Sequence, residues 1–420
     1  MNRATSARAI FVAGFAAGLT LKISMLFYDG VYDMDSYREW GLAALRSGLS
    51  TAYDGVYFPL QYQIFQACAW FAQHFGQQFF VVSKLANLFF DLGCFVLLIL
   101  LLRRWRASVW FALVYWLHPW FLAVFSLGYV DWQFTFFVLL SIFALRREAW
   151  RDYLLSGLFL AFAFLMKPQT QILIVAVFGY SVLHYFRRRD PRPLAILAGP
   201  LILFLLYEFY FSRSLRSLHP QSWNILPLSY LRVANALPAL TGQMTNIWYP
   251  VAYLLKAAHQ PIYSVSDQIQ VLPHLPIRIV AGVIVVGAVW LQVARVEKER
   301  DLPPNERFLT IFAFASLVVP FLMTCGHENH LFLASVLLIP IVARSVSCVT
   351  PIAFNILLFV QFLHIFSLYG ERPVLLAQWL RPTQSDEMGI VYSIISLACF
   401  ILLVPALWRT TLPQGVTSPD

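Results

Sequence analysis

The feature that most constrains this chain is a succession of apolar runs, most of them near bilayer length, separated by polar connections that carry Arg and Lys in alternate gaps. A membrane-spanning helix needs about 20 mostly apolar residues, and shorter ones persist when buried in a bundle. On that basis helices are expected near residues 10–27, 79–102, 107–126, 132–145, 152–167, 169–186, 193–211, 277–294, 308–324, 331–347, 351–369 and 389–408, about twelve in all. Composition points the same way. Of 420 residues, 60% are apolar and 12% are charged, whereas a soluble domain is roughly a quarter charged. The expected fold is therefore all-α, a polytopic membrane protein with one domain over residues 1–410 and a short polar tail, 411–420, read as disordered.

Two features at the start and across the chain bear on its class. Arg3 and Arg8 precede the first run, but no small-residue cleavage site is evident before Lys22, so residues 10–27 read as a retained helix rather than a signal peptide. Cys68, Cys94, Cys325, Cys348 and Cys399 show neither disulfide nor metal-ligand spacing and read as core residues. Gly-rich phosphate loops, Ser nucleophile elbows and nucleic-acid modules are not evident.

The net charge of +9 matters less than where the charge lies. Arg103, Arg104 and Arg106; Arg146, Arg147 and Arg151; Arg187, Arg188, Arg189 and Arg192; and Arg295, Lys298, Arg300 and Arg307 fall in alternate connections, on the side of Arg3 and Arg8. By the positive-inside rule these face the cytoplasm. Residues 28–78, 127–131, the turn at Lys167, 212–276, 325–330 and 370–388 then face outward, where nucleotide sugars and ATP are scarce.

The first outward segment holds the charged cluster Asp33, Asp35, Arg38 and Glu39. It reads as a surface-lying amphipathic helix in which Asp33, Tyr37, Trp40 and Ala44 share one face. In a helix, residues two apart point to nearly opposite faces, so Asp33 and Asp35 would not serve one centre. An extended backbone would let the pair hold a divalent cation; a solvated loop start with Asp35 paired to Arg38 is equally consistent. Pro59 favours the start of a second helix after Tyr57 and Phe58. The prolines of residues 212–276 predict broken short helices there.

Other polar groups stand out against the apolar background. His327, Glu328 and His330 lie between two apolar runs with His spacing of three, which does not fit the zincin pattern of four. A polar cluster wedged between membrane helices is costly and points to function, the alternative being a polar outer turn. Asp131 ends the turn Leu127–Asp131, where a carboxylate can also stay simply hydrated. Lys167 is a cation on the outward side that could bind phosphate as a point charge or snorkel to the interface, and Arg232 and Arg278 are weaker candidates. Asp91 and Glu208, within helices, read as interior hydrogen-bonding groups.

Taken in order, these residues resemble the C superfamily of glycosyltransferases, integral membrane enzymes that use polyprenyl-phosphate sugars. The likeness is to dolichyl-phosphate-glucose glucosyltransferases of N-glycan assembly and to bacterial proteins described as GPI mannosyltransferase-like. Asp33, Asp35, Arg38 and Trp40 match the acidic motif of the first outer loop; Tyr57, Phe58, Pro59 and Leu60 resemble Tyr-Pro-Pro-Leu, with Phe58 replacing a proline. Gly128 to Asp131 resemble Gly-Gln-Val-Asp, and Lys167, Pro168 and Gln169 match Lys-Pro-Gln. Asn246, Ile247 and Trp248 resemble Asn-Leu-Trp; His327 and Glu328 match a His-Glu turn, although Asn329 and His330 stand where a cation and an aromatic usually follow.

The resemblance implies transfer of a hexose, mannose or glucose, from a polyprenyl-phosphate donor to a lipid-linked or glycan acceptor, with inversion and on the extracytoplasmic face. It implies Asp33 as the catalytic base. Asp35, Arg38, Trp40, Asp131, Lys167, Gln169, Trp248, His327 and Glu328 would bind substrates, Lys167 and then His327 being the first choices for the leaving phosphate. No metal ligands and no cofactor are required, although a divalent cation is compatible with Asp33 and Asp35. The partners implied are donor, acceptor and membrane lipids, with no nucleic acid. The absence of Asn-x-Ser/Thr sites and of a C-terminal retrieval signal favours a bacterial inner membrane over the endoplasmic reticulum. A polytopic transporter or flippase for lipid-linked sugars is the rival reading, and a non-catalytic assembly subunit a third.

Overall fold

A computed structural model describes residues 3–53, 55–218, 232, 238–299, 301–369 and 385–408. The polar tail lies outside these residues. The chain is helical throughout most of its described length. In order, it runs α1 (Arg3–Met25), α2 (Tyr32–Ser47), α3 (Leu49–Ala52), α4 (Pro59–His74), α5 (Phe79–Arg104), α6 (Phe111–Leu117), α7 (Pro119–Leu127), α8 (Asp131–Ala144) and α9 (Trp150–Phe164). There follow α10 (Gln171–Arg188), α11 (Ala198–Leu218), α12 (Trp248–Leu255), α13 (Ile277–Lys298), α14 (Pro304–Leu322), α15 (Phe332–Arg344), α16 (Val349–Tyr369) and α17 (Asp386–Trp408).

Eight of these segments are long and apolar enough to cross a membrane, and Phe111–Leu127 and Asp131–Ala144 are shorter apolar stretches. Two further expected spans appear as the short α9 and α15, of 15 and 13 residues. Most of α15 is buried, which is how so short a helix finds its packing energy. The single helix expected over 107–126 is two helices. Pro119 has no amide to donate and forces His118 into an extended conformation; the His118 ring then caps α7 by accepting the Trp120 amide at 3.2 Å.

The described part of residues 28–78 folds as α2, α3 and α4, with Pro59 at the first turn of α4 as its sequence predicts. The backbones of α2 and α4 cross so closely at Gly41 that a Cβ there would lie 2.4 Å from the Phe65 carbonyl oxygen. Within the described part of 212–276 the expected short helices are joined by two short strand pairs. β1 (Thr241–Gly242) runs parallel to β4 (Gly326–His327), and β2 (Gln270–Leu272) pairs antiparallel with β3 (Leu275–Pro276).

The basic connections gather at one end of the bundle. Arg104 donates to the Phe143 carbonyl at 3.2 Å, Arg307 to Glu148 at 2.7 Å, and Arg192 to the Glu148 carbonyl at 2.6 Å. Arg187 and Arg188 hold Glu297 at 2.8 and 2.9 Å, and Arg344 holds Glu306 at 2.6 Å. The interior is not wholly apolar: Lys22 of α1 meets Asp91 of α5 at 2.5 Å, both side chains fully buried, and Tyr115 donates to the same carboxylate at 2.5 Å.

Candidate functional site

At the opposite end from the basic cluster, the turns between helices surround a cavity of about 460 Å³ into which several charged and polar side chains project. Its walls carry Asp33, Tyr37 and Trp40 from α2, Tyr57 before α4, Tyr129 before α8, and Lys167 before α10. Gly242 and Gln243 from the β1 region, His327 to His330, and Tyr369 at the end of α16 also line it, with Ser36, Val56 and Tyr263 between them.

Asp33 sits in the first turn of α2, where the helix N-terminus favours a carboxylate. Tyr37, one turn on, stacks on Phe65 of α4 with ring centroids 4.6 Å apart, and Trp40 packs 5.4 Å from Tyr62. That face of α2 is thereby seated on α4 and Asp33 is held at the cavity wall. The Tyr37 hydroxyl lies 3.4 Å from Asp33 and 3.1 Å from the Tyr57 hydroxyl. Burial pushes the Asp33 pKa above the usual carboxylate range, and the charge of Glu328 adds to the rise; His327, Lys167 and the Tyr37 hydroxyl oppose it.

The Tyr57–Leu60 and Lys167–Gln169 motifs, distant in sequence, are joined through their backbones. The Phe58 amide donates to the Met166 carbonyl at 3.2 Å and the Leu60 amide to Leu165 at 3.1 Å. Lys167, extended because Pro168 follows, then points its ammonium to Asp131 at 2.9 Å, with the Tyr57 ring 5.9 Å away. The second Asp131 oxygen accepts from Asn329 at 2.9 Å. Thus Asp131 lies behind the wall and orients Lys167, while Lys167 itself faces the cavity.

Glu328 is buried and held from two sides: Tyr129 and Tyr369, the latter at 2.5 Å, donate to the same carboxylate oxygen. Its other oxygen lies 4.0 Å from the half-exposed His327 ring. Pairing of Gly242 with His327 brings the loop of β1 to the cavity, and Gln243 there adopts a left-handed backbone (φ 72°) with its carbonyl 2.6 Å from His364. His330 accepts the His327 amide through Nδ1 at 3.2 Å, and burial lowers its pKa well below the usual histidine value, so it is neutral.

Of the residues singled out in the sequence, Asp33, Trp40, Lys167, His327 and Glu328 come together, with Asp131 immediately behind. Asp35 and Arg38 do not line the cavity: they lie on the outer face of α2, 59% and 51% exposed, 3.6 Å from each other. The helical spacing therefore separates the two aspartates, and they form no shared oxygen site. Gln169 is partly buried in the turn after Lys167 and does not line the cavity. Trp248 packs on α14 through an indole bond to the Leu322 carbonyl at 2.8 Å, and Asn246, two residues before it, accepts the Trp248 amide at 2.9 Å. Arg278 lies near Asp267, at 4.0 Å, and Arg232 is exposed. Among the described residues, no group of three or more His, Cys, Asp and Glu side chains is placed to hold a metal.

Tyr37, Tyr57, Tyr129, Tyr369 and Asn329 are site residues that the sequence did not assign. Tyr37 and Tyr129 stand beside acidic motifs in the sequence, a pattern equally typical of membrane interfaces, and Asn329 follows Glu328, whereas Tyr369 carries no such signal.

No protein-family model matches the chain, and no curated protein does. Among solved structures it is similar to the crystal structure of ArnT from Cupriavidus metallidurans in the apo state, at 15% identity and a TM-score of 0.41, over 97% of this chain and 78% of that one. So distant a likeness assigns no role to any residue here. The chain is a helical, polytopic membrane protein with a carboxylate-and-ammonium cavity at the end of the bundle opposite its clustered basic connections.

Proposed function

We propose that the protein is an integral-membrane glycosyltransferase that moves a hexose, mannose or glucose, from a polyprenyl-phosphate donor to a lipid-linked or glycan acceptor. The observation that carries this reading is the placement of Asp33, half-buried and raised in pKa, in one cavity with the Lys167 ammonium and His327. A polyprenyl phosphate is a good leaving group and needs little protonation, so one base suffices. A base whose pKa lies above the ordinary carboxylate range is better matched to neutral pH.

In this reading the acceptor hydroxyl gives its proton to Asp33 as its oxygen bonds to the anomeric carbon. The bond from that carbon to the phosphate oxygen breaks, and the electron pair leaves with the polyprenyl phosphate. A single displacement of this kind inverts the anomeric centre. Lys167 is oriented by Asp131 and faces the cavity, so it can meet the charge that grows on the leaving phosphate. In this reading His327 is the second such group, and Glu328 and Trp40 bind the sugar. No cofactor is required for this chemistry, and Asp35, turned to the outer face of α2, gives a divalent cation no shared site with Asp33. The basic residues gathered at the far end support an extracytoplasmic cavity by the positive-inside rule, with a bacterial inner membrane the expected location.

The test is transfer by the purified full chain in lipid nanodiscs, with undecaprenyl-phosphate mannose and undecaprenyl-phosphate glucose as donors and host glycolipid extract as acceptor, products read by mass spectrometry. Asp33→Asn is expected to insert normally and lose transfer; unimpaired transfer by that variant would sink the assignment. The rival reading, a transporter or flippase, finds its best support in the Lys22–Asp91 pair and the break between α6 and α7, features common in transporters. Movement of labelled lipid-linked sugar with no glycosidic product would favour it.

A further inference from the structure

Lys84, in the second turn of α5, is fully buried and lines no part of the cavity. Its ammonium meets three backbone carbonyls: Met25 at 3.1 Å, Tyr28 at 2.5 Å and Ser126 at 2.6 Å. Met25 ends α1 and Ser126 lies in the last turn of α7, so one cation neutralises the negative ends of two helix dipoles and supplies the donors that their final carbonyls lack. All three of its hydrogen bonds go to main chain, with the Tyr28 ring 5.1 Å away and the charge of Asp29 nearby as its only side-chain company among the described residues, and an uncompensated ammonium there would be costly.

What leaves those two helix ends is the site. The chain from α1 passes through Gly30 and Val31 into α2 and Asp33; the chain from α7 passes through Gly128 and Tyr129 to Asp131. The two turns touch directly, since the Val31 amide donates to the Leu127 carbonyl at 3.0 Å. The contact leaves no room for more. A Cβ at Gly30 (φ +89°) would lie 2.7 Å from the Leu127 oxygen, and one at Gly128 (φ +86°) would lie 2.3 Å from the Met34 side chain and 3.4 Å from Lys84. One turn along the same face of α5, Asn87 donates to the Tyr129 carbonyl at 2.9 Å and accepts from Gln133 at 2.8 Å.

We infer that Lys84 is a positioning residue, a clasp between the ends of α1 and α7 that sets the depth of Asp33 against Lys167 and Glu328. This inference rests on the proposed role of Asp33 as base. It explains why a lysine stands where a leucine would pack: an apolar residue would leave two helix ends unsatisfied and free to part, and the distance between the turns that carry Asp33 and Asp131 would no longer be defined.

The experiment compares wild type, Lys84→Met, Lys84→Arg and Gly30→Ala in the nanodisc assay with undecaprenyl-phosphate mannose and undecaprenyl-phosphate glucose, reading kcat, KM and the acidic limb of the pH profile. A displacement of about 1 Å at the reacting groups costs on the order of 10²-fold in rate. Lys84→Met and Gly30→Ala are expected to lose roughly 10- to 100-fold in kcat with donor KM changed little, and Lys84→Arg to recover part of it. The acidic limb should move in both damaged variants, because Asp33 changes its distance to Glu328, His327, Lys167 and Tyr37. A merely structural role lowers the active fraction and leaves the limb and KM where they are in wild type, and that result overturns the inference. Lys84→Arg keeps the buried charge and changes only where its donors fall, so its kcat and acidic limb decide the matter if Lys84→Met does not fold. Full activity of Asp33→Asn would instead overturn the underlying reading, whatever Lys84 does.

Discussion

Removing the Lys167 ammonium should separate stability from chemistry. The Lys167–Asp131 pair spans 2.9 Å with the two side chains 6% and 1% exposed, so solvent screens it little. Lys167→Met leaves the Asp131 carboxylate buried with Asn329 as a remaining donor. Breaking one side of a buried pair costs about 3–5 kcal/mol. At about 2.1 cal/mol/K per residue over 420 residues, that is a fall of roughly 3–6 °C in the midpoint of thermal unfolding in detergent. Asp131→Asn added to Lys167→Met removes the stranded charge and is expected to restore most of that loss, a coupling that a double-mutant cycle reads directly. Transfer behaves otherwise. If Lys167 meets the leaving phosphate, both Lys167→Met and the stable double variant lose about 10²- to 10³-fold in kcat, the range for one electrostatic donor. A double variant that regains stability and transfer together would refute this, and would make the pair purely structural.

The remaining predictions are simpler to state. Transfer depends on ionised Asp33, whose pKa is raised by burial and by Glu328, so activity should fall on acidification with a midpoint above the ordinary carboxylate range; a kcat/KM limb at or below about 4 would contradict the raised value. Asp35→Asn and Arg38→Ala break only an exposed pair and should shift stability by about 1 kcal/mol or less, with kcat/KM close to wild type; a large loss of transfer would place them at the substrate after all. Gly157→Ala puts a Cβ 2.1 Å from the Ile196 carbonyl oxygen, backbone that cannot yield as a side chain can. It should cost roughly 1–3 kcal/mol by overpacking, visible as a lower unfolding midpoint, and an unchanged midpoint would show that α9 shifts freely.

Membrane architecture was legible because it follows from local quantities. Runs such as Phe79–Arg104 and Ile277–Lys298 carry their own length and hydropathy. The helical period alone sets Asp33, Tyr37, Trp40 and Ala44 on one face and turns Asp35 and Arg38 away, and that is what α2 shows. The rule that proline restrains the residue before it also acts locally, so Pro119 marks the division of α6 from α7 in the sequence as well.

What the sequence by itself determined, then, is the helical membrane class, the alternation of basic connections, the inward face of α2 and the residues worth suspecting. Only the tertiary structure decided which of them meet. Asn329 reaches Asp131 across 198 positions and Tyr369 reaches Glu328 across 41, while Lys84 joins helix ends through carbonyls that have no residue identity to read. Such contacts depend on how helices pack and where their ends fall in space. A linear pattern records the period of each helix, whereas the distances between turns come from the packed bundle as a whole.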